Sequence, residues 1–248
     1  MSRPTVTVVI PVRDGAAHVG RAVASVLGQT VAPELVLVVD DGSRDATVAV
    51  ASAFGPPVTV VSTPPRGAAA ARNRGIREAT TDAVSFLDAD DTWPSGRLER
   101  HLAILATRDD VDVVLGVTRY VGLPPEERAR YRFPGPEATV VAMSFGAATI
   151  RHRVFVVHGC IDESLRRYED WDWFLRIREL GVVIHVDGAV ANEYRRRPGS
   201  TSQVAFPGDP TVHRVLKRSL DRRRARGAVP GRLGSLPIVP PASPASSP

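Results

Sequence analysis

Strand-like and helix-like segments alternate regularly through the first half of this chain. Apolar runs typical of buried strands stand at Thr5–Ile10, Leu35–Val39, Val58–Val61, Ala83–Leu87 and Val111–Val117. Between them, segments such as Ala68–Ala79 have the composition and spacing of helices. This alternation predicts an α/β fold, with a doubly wound and mostly parallel sheet flanked by helices. Ligands of such sheets bind beyond the carboxyl ends of the strands.

The rest of the chain has a weaker pattern. Gly122–Ala138 contains Pro, Arg and Glu without a clear period, which predicts an irregular, exposed loop. The helical period returns over Glu169–Leu180, which Gly181 closes as a C-cap. Two short strands are predicted to follow, at Val182–Val186 and Ala189–Tyr194.

Composition limits the class of protein. With 248 residues, 43% of them hydrophobic, the chain can bury a core. No apolar run approaches the roughly 18–20 residues of a membrane span. The start, Met1-Ser2-Arg3-Pro4, leads straight into a strand and lacks the apolar region of a signal peptide. The single cysteine, Cys160, excludes an intramolecular disulfide framework, so we expect a protein of the reducing cytoplasm.

The charge of the chain indicates the kind of partner. A net charge of +5 favours anionic partners such as nucleotide phosphates or acidic lipids. Aromatic residues make up only 6%, and no nucleic-acid-binding motif is found, so nucleic acid is not an expected partner. The basic stretch His213–Arg226 is compatible with a helix. Peripheral contact with the inner face of an anionic membrane is therefore a second expectation for the location.

The fourth predicted strand is followed by a cluster of acids. The apolar run Ala83–Leu87 ends in Asp88-Ala89-Asp90-Asp91. Residues two apart on a strand point to the same side, so Asp88 and Asp90 are predicted to converge. Two close carboxylates repel unless a cation or a shared proton resolves the conflict, and Mg²⁺ or Mn²⁺ accepts such oxygen ligands. The motif favours a metal-assisted enzyme that acts on a phosphorylated substrate.

Two other interpretations of this acidic motif stay open at this point. One is a solvated acidic turn after a strand. The other is the first motif of the haloacid-dehalogenase-type phosphatases, which Asp88-Ala89-Asp90-Asp91-Thr92 resembles. Those enzymes need a later cationic residue, usually Lys, and the only lysine here is Lys217 in a polar C-terminal segment.

Five stretches in this order resemble the family 2 glycosyltransferases of the GT-A fold, over about Pro4 to Ser202. They are Val8–Asp14, Val39–Thr47, Gly67 with Ala71–Ile76, Phe86–Asp91, and His158–Leu165 leading into Glu169-Asp170 and Leu175-Arg176-Ile177. The resemblance implies an inverting transfer of a sugar from a nucleoside diphosphate sugar, with a UDP-sugar as the expected donor, to a hydroxyl acceptor. Neither the glycine-rich loop of a Rossmann dehydrogenase nor a P-loop follows the first strand.

On the donor side, the resemblance assigns a role to the end of each strand. The loop Pro11-Val12-Arg13-Asp14 would wall the nucleotide base. Asp41 would accept a hydrogen bond from the base or ribose, while Asp40 would orient its loop or cap a helix. Arg72 can reach the diphosphate with its fork of donors, or can lie on a solvated helix face. Asp88-Ala89-Asp90 would hold Mg²⁺ or Mn²⁺, directly or through water.

On the acceptor side, the resemblance assigns the general base to Asp170. An inverting transfer needs one base to take the proton of the acceptor hydroxyl, and a helix start favours an ionised carboxylate. The alternative is an acid that only stabilises the helix. Glu169 would orient the loop or acceptor, and Trp171 would stack on a sugar ring, whereas Trp173 is expected in the core. Arg197 stands where the family often has His, which predicts diphosphate binding by Arg and less dependence on metal.

The domain organisation follows from these assignments. We expect a glycosyltransferase domain over residues 1–203, with a nucleotide-sugar-binding half at about 4–117 and an acceptor half at 118–203. A basic, helical extension over 204–227 and a disordered Pro/Ser-rich tail over 228–248 complete the chain. The resemblance implies a glycan, lipid-linked or small-molecule hydroxyl as the acceptor, with cell-envelope or polysaccharide biosynthesis as the expected setting. The alternatives are a non-catalytic nucleotide-sugar-binding module and a nucleotidyltransferase on a related fold.

Overall fold

A computed structural model describes residues 2–131, 133, 137–196 and 210–227 of the chain. Within these ranges no helix combines the length and the apolar character that crossing a membrane requires. The predictions for Arg197 and for the tail at 228–248 lie outside the described residues.

The chain alternates strands and helices up to its middle, as predicted. The strands are β1 (Val6–Val12), β2 (Leu35–Asp40), β3 (Val58–Ser62), β4 (Ala83–Phe86), β5 (Val113–Val121), β6 (Thr139–Val140), β7 (Ala148–Arg151) and β8 (Ile184–Arg195). The helices are α1 (Val19–Leu27), α2 (Thr47–Ser52), α3 (Ala68–Glu78), α4 (Arg97–Thr107), α5 (Pro125–Tyr131), α6 (His152–His158), α7 (Glu169–Glu179) and α8 (Pro210–Ala225). A short 3₁₀ turn, Phe145–Ala147, precedes β7.

The strands form one sheet in the order β3-β2-β1-β4-β7-β5-β6, with β8 paired along β5. The neighbours β3, β2, β1 and β4 pair in parallel, as do β5 and β8. β7 is antiparallel to both β4 and β5, and β6 is antiparallel to β5. The predicted α/β fold with a mostly parallel sheet is confirmed, and the carboxyl ends of β1, β2, β4, β5 and β8 meet at one edge.

Apolar layers cover both faces of the sheet. Val9 of β1 belongs to a layer that also holds Ile76 of α3 and Trp173 of α7. The adjacent Val8 belongs to a second layer with Leu98 of α4. Successive side chains of a strand point to opposite faces, so a buried parallel strand needs apolar residues at every position. That requirement explains the unbroken apolar runs in the sequence.

Two segments differ from the sequence-based expectation. The segment predicted as an irregular loop contains α5, which begins at Pro125 with two glutamates in its first turn, a favourable start for a helix. Its Glu127 forms an ion pair with Arg196 at 3.0 Å. The two short strands predicted beyond Gly181 form one continuous strand, β8. The residues between them, which include Asp187 and Gly188, lie in an irregularity of the pairing between β5 and β8 near Val117.

Candidate functional site

The acidic motif lies where β4 leaves the sheet. The backbone N–H of Leu87 still donates to Val9 of β1 at 3.1 Å, and that of Asp91 donates to the carbonyl of Asp88 at 3.0 Å, so the chain turns at once. The side chain of Asp88 is 41% exposed at this edge. Arg21 of α1 donates to the carbonyl of Asp90 at 3.2 Å and holds the turn from the other side. The motif is therefore a fixed turn beyond the end of β4, and the strand alternation that predicted the convergence of Asp88 and Asp90 does not apply to it.

The third acid of the motif, Asp91, is turned away from this edge. Its buried carboxylate accepts a hydrogen bond from Asn192 at 3.1 Å and from the backbone N–H of Arg195 at 2.9 Å, both on β8. Burial and the nearby Asp88 raise the pKa of Asp91 to about 7. Asp91 thus anchors the motif to β8, a role that no local sequence signal indicated.

Arg72 of α3 joins the donor side of the site to the acceptor side. It donates to Asp88 at 2.6 Å and to Glu169, the first residue of α7, at 2.7 Å. The guanidinium is buried and lies 5.6 Å from the centre of the Phe145 ring. Burial disfavours the charged form of Arg72, whereas the carboxylates of Asp88 and Glu169 favour it. The carboxylates have the larger effect, so the pKa of Arg72 is raised. Arg72 was predicted to meet a diphosphate, and here it bridges two of the predicted site residues.

Asp170 stands in the first turn of α7, beside that bridge. The helix starts after Tyr168, whose φ of 60° is unusual for a residue other than glycine. Asp170 accepts a hydrogen bond from the backbone N–H of Trp171 at 2.8 Å. Burial and the adjacent Glu169 raise the pKa of Asp170 to about 7, against the opposing charge of Arg72. Such a carboxyl has the pKa that a general base needs near neutral pH.

The predicted nucleotide-binding loops are tied to one another by hydrogen bonds. Pro11 and Val12 are buried residues of β1 rather than loop residues, so only Arg13 and Asp14 lie beyond the strand. Asp14 accepts a hydrogen bond from the backbone N–H of Arg44 at 2.7 Å and donates its own N–H to Ser43 at 2.8 Å. The loop after β1 therefore rests on the loop after β2.

The two acids at the end of β2 shape these loops. Asp40 accepts a hydrogen bond from the backbone N–H of Ser43 at 3.1 Å, as expected for a residue that orients its own loop. Asp41 is buried and accepts backbone N–H groups from Arg66 at 2.7 Å and Gly67 at 2.8 Å, in front of α3. A carboxylate keeps further lone pairs beyond two such bonds. A contact of Asp41 with a base or ribose stays a prediction.

The acidic residues fit a metal that is shared with a substrate. Among the residues described, no group of three or more His, Cys, Asp or Glu side chains is placed to hold a metal ion. Asp88 and Asp90 do offer hard oxygen ligands, and Mg²⁺ is commonly bound by one or two carboxylates together with substrate phosphates. Ala89 separates them and packs partly on the apolar layer below. These residues match an open site better than a closed protein cage.

The tryptophans near Asp170 have different surroundings. Trp173 is buried and its ring stacks on Phe155 at 4.9 Å, so its predicted place in the core is confirmed. Trp171 is half-buried, with its ring 5.7 Å from that of Tyr168. Stacking of Trp171 on a sugar stays a prediction. Arg197 lies outside the described residues, beyond the last residue of β8.

Asn73 has a structural role that its sequence context did not indicate. Its side chain is buried and donates to the carbonyl of Ile161 at 2.8 Å, while the backbone N–H of Ile161 donates back at 3.0 Å. Asn73 also donates to Glu163 at 3.0 Å. The residue thereby ties α3 to the segment that leads into α7. It stands next to Arg72 in the stretch that carried the resemblance, which was the one available signal.

Comparisons with known proteins agree with this architecture. A crystal structure of TarS 1-349 from S. aureus in complex with UDP-GlcNAc matches with a TM-score of 0.68 over 87% of this chain and 65% of that chain. The sequence identity is 19%, so the match concerns the fold, which is that of GT-A glycosyltransferases.

The phosphatase alternative loses its cationic residue, because Lys217 lies on α8 and pairs with Asp221.

Several relatives by sequence are bacterial glycosyltransferases. An uncharacterized glycosyltransferase of Rickettsia typhi is 27% identical over 82% of this chain and 67% of that protein. The pre-mycofactocin glycosyltransferase of Mycobacterium tuberculosis is 33% identical over 78% of this chain and 44% of that protein. This chain therefore spans only part of these relatives.

A family profile gives the assignment. The sequence profile described as Glycosyl transferase family 2 matches residues 7–165, a range that includes Arg72 and the acidic motif and ends before Glu169 and Asp170. The matched range is more than half of the chain. The protein belongs to glycosyl transferase family 2.

Proposed function

We propose that this protein transfers a sugar from a nucleoside diphosphate sugar to a hydroxyl acceptor with inversion of the anomeric configuration. One observation carries the proposal: Arg72 joins Asp88, at the end of a central strand, to Glu169, next to Asp170. Asp88, one of the two proposed metal ligands, and Glu169, the neighbour of the proposed base, therefore contact the same guanidinium. Transfer of a sugar from a nucleoside diphosphate to a hydroxyl needs positive charge that stabilises the departing diphosphate. It also needs a base that accepts the proton of the hydroxyl.

The donor is expected to carry UDP. The structures of TarS contain UDP-GlcNAc or UDP, and the present chain shares their fold. Arg13 and Asp14 would line the nucleotide, with Asp40 and Asp41 holding the loops in place. Asp88 and Asp90 would hold Mg²⁺ or Mn²⁺, which supplies positive charge against the diphosphate when bound. Arg72 would add a fixed, permanently charged donor at the same place.

Asp170 would act as the general base. One of its carboxylate oxygens accepts the proton of the acceptor hydroxyl while the acceptor oxygen forms a bond to the anomeric carbon. The bond from that carbon to the diphosphate oxygen breaks, and its electron pair leaves with the nucleoside diphosphate. A single displacement of this kind has no covalent sugar intermediate, so it inverts the configuration. Glu169, held by Arg72, would keep the first turn of α7 in position.

A screen of nucleotide sugars tests this function. Thermal shift with and without Mn²⁺ would identify the donor, and NMR of the product would give the anomeric configuration. We expect stabilisation by one UDP-sugar that increases with Mn²⁺, and a product of inverted configuration. A product that retains the donor's configuration would contradict the mechanism. Binding without transfer to any hydroxyl acceptor would indicate a non-catalytic nucleotide-sugar-binding module instead.

An anionic membrane is a proposed place for the acceptor. The outward side of α8 exposes Leu216 and Leu220, with Lys217 and Arg224 beside them. Apolar residues flanked by basic ones on one side of a helix suit the interface of an anionic bilayer. A lipid-linked acceptor would then be presented to the protein at the surface that carries it.

A further inference from the structure

Helix α8 packs against α7 through one of its sides. The residues facing inward are Val212, Val215 and Ser219, all buried. Val215 joins a small apolar cluster with Leu165 and Leu175. This helix lies beyond residue 165, where the match to the family profile ends. Its contacts with α7 are therefore a property of this chain that the family profile does not describe.

A single arginine of α8 contacts both ends of α7. Arg222 donates to Glu179, the last residue of α7, at 2.7 and 3.1 Å, as a bidentate pair. Its third contact is with Asp172, in the first turn of α7, at 2.9 Å. Residues seven apart on a helix lie on the same side, about 10.5 Å apart along the axis. The side chains of Asp172 and Glu179 therefore reach one guanidinium from positions two helical turns apart.

The acids that Arg222 contacts are hidden from water. The side chain of Glu179 is 0% exposed and that of Asp172 is 6% exposed. A buried carboxylate without a cation is strongly unfavourable, and removing one partner of a buried pair leaves the other uncompensated. Without Arg222, Asp172 and Glu179 would have to take up protons, or the contact between α7 and α8 would have to open and admit water. Packing of Trp173, Phe174 and Ile177 places α7 in the core, and Arg222 fixes the polar side of the helix that carries Asp172 and Glu179.

The first turn of α7 is the part that matters for chemistry. It carries three carboxylates, of Glu169, Asp170 and Asp172. Arg72 pairs with Glu169 and Arg222 pairs with Asp172, whereas Asp170 accepts a hydrogen bond from the backbone N–H of Trp171. The backbone N–H of Asp172 also donates to Tyr168 at 3.0 Å, which closes the turn around Asp170. The two arginines hold the turn on both sides of that residue.

We propose that Arg222 is a positioning residue for Asp170, which it holds in place by joining both ends of α7 to α8. The proposal rests on the proposed function, since it takes Asp170 as the base. Arg222 itself touches neither donor nor acceptor and acts only through the helix. The C-terminal helix is then part of the catalytic apparatus, although it lies beyond the matched family profile.

Hydrogen exchange on the full chain tests the proposal directly. The variants are Arg222→Lys and Arg222→Ala, with Arg214→Ala as a matched control because Arg214 is exposed on the same helix. We expect amides of residues 169–174 to exchange about tenfold or more faster in Arg222→Ala, as expected for local opening of one element. Arg222→Lys should have a smaller effect, because a lysine cannot form the bidentate pair. Exchange in α3 should be unchanged in both variants.

Transfer kinetics give the second measurement. At a temperature where each variant is fully folded, kcat of Arg222→Lys should fall while the KM for the donor and the stabilisation by UDP stay at wild-type values. Unchanged exchange at residues 169–174 in both Arg222 variants would overturn the proposal. So would exchange that rises equally throughout the chain, since that result indicates a general loss of stability. Absence of transferase activity in the wild type would refute the proposed function and leave the exchange result as a separate test of Arg222.

Discussion

Asp170 owes its chemical character to its neighbours. Three acids in one turn of α7 repel one another, and two of them are neutralised by Arg72 and Arg222. Asp170 has a raised pKa because it is buried and because the adjacent Glu169 is also an acid, against the opposing charge of Arg72. A residue that only stabilised the helix start would gain from a low pKa. The raised pKa of Asp170 suits a base that acts near neutral pH, and the assignment of that role to Asp170 stays a proposal.

Replacing Asp170 with Asn should remove the base and little else. The amide keeps the shape and can still accept a hydrogen bond from Trp171 N–H, so stability and UDP binding should change little. Transfer should fall by about 10²–10⁴-fold, the usual contribution of a positioned base. Asp110→Asn is the control, because Asp110 is exposed and pairs with Arg108 at the surface. Near-normal turnover by Asp170→Asn would contradict the assignment.

The pH dependence of transfer provides an independent check of the base. A base acts in its deprotonated form, and burial with the Glu169 charge raises the pKa of Asp170 to about 7. The kcat of the wild type should therefore rise as pH increases through about 7 and level off above it. The Asp170→Asn variant should lack this rise. A wild-type profile that is flat from roughly pH 5 to pH 8, the interval in which a group of this pKa changes its charge, would argue against Asp170.

Asp90 is the better residue for testing the metal site. Asp88 is engaged by Arg72, so its removal would also release that arginine. Asp90→Ala should weaken the Mn²⁺-dependent part of UDP binding by about tenfold or more, which corresponds to about 1.4 kcal/mol. Calorimetry with UDP, with and without Mn²⁺, measures this effect, and Asp109→Ala at the surface serves as the control. Equal Mn²⁺ dependence in Asp90→Ala and wild type would exclude this residue as a ligand.

Among the elements, α3 has the most influence on the site. It carries Arg72 and Asn73, and it lies close against β1 because Gly75 has no side chain. A Cβ atom at Gly75 would come within 2.3 Å of Val9 Cγ1 and 2.6 Å of Val9 Cγ2. The short distance between α3 and β1 is thus possible because residue 75 is a glycine. The reach of Arg72 to Asp88 and Glu169 depends on that distance.

Gly75→Ala should destabilise the protein. Overpacking of this kind costs about 1–3 kcal/mol, which exceeds the gain of roughly 1 kcal/mol or less from the better helix propensity of Ala. Urea unfolding measures the difference. Gly20→Ala on α1 is the matched control, because its Cβ would meet Val50 Cγ1 at an ordinary 3.5 Å. Equal stability of the two variants would contradict the close packing of α3.

At the scale of the whole molecule, α8 has two different sides. One side covers α7 through Val215 and Arg222, and so belongs to the folded core. The other side exposes Leu216, Lys217 and Arg224. The basic character of the C-terminal segment is therefore divided between an internal ion pair and the surface. Only the surface part is available to an anionic membrane.

Charge reversal on the exposed side of α8 tests the proposed membrane contact. The double variant Lys217→Glu/Arg224→Glu should bind anionic vesicles at least about thirtyfold more weakly, because each basic residue near such a surface contributes about 1 kcal/mol. Arg3→Glu/Arg108→Glu changes the net charge equally at exposed positions elsewhere and is the control. Sedimentation with anionic and with neutral vesicles measures binding. Equal binding of both double variants would remove the membrane from the proposal.

The sequence by itself determined the α/β architecture and the edge at which the site residues lie. Helical periods and apolar runs are patterns among residues that are close in sequence, so β1 to β5 and α3 were predictable to within a few residues. The acidic motif and Asp170 were also recognisable, because the resemblance rests on short stretches. The helix α5 and the continuity of β8 were missed, since an ion pair and a bulge leave no periodic signal.

Only the tertiary structure decided which of these residues meet. Arg72 and Glu169 are 97 residues apart in the chain, Asp91 and Arg195 are 104 apart, and Asp172 and Arg222 are 50 apart. The chain offers each arginine several acids, and the sequence carries no local pattern that selects one. The selection is made by packing, because α3, α7, α8 and β8 are placed by their apolar faces, and their charged groups then pair with whichever partner that placement brings within reach.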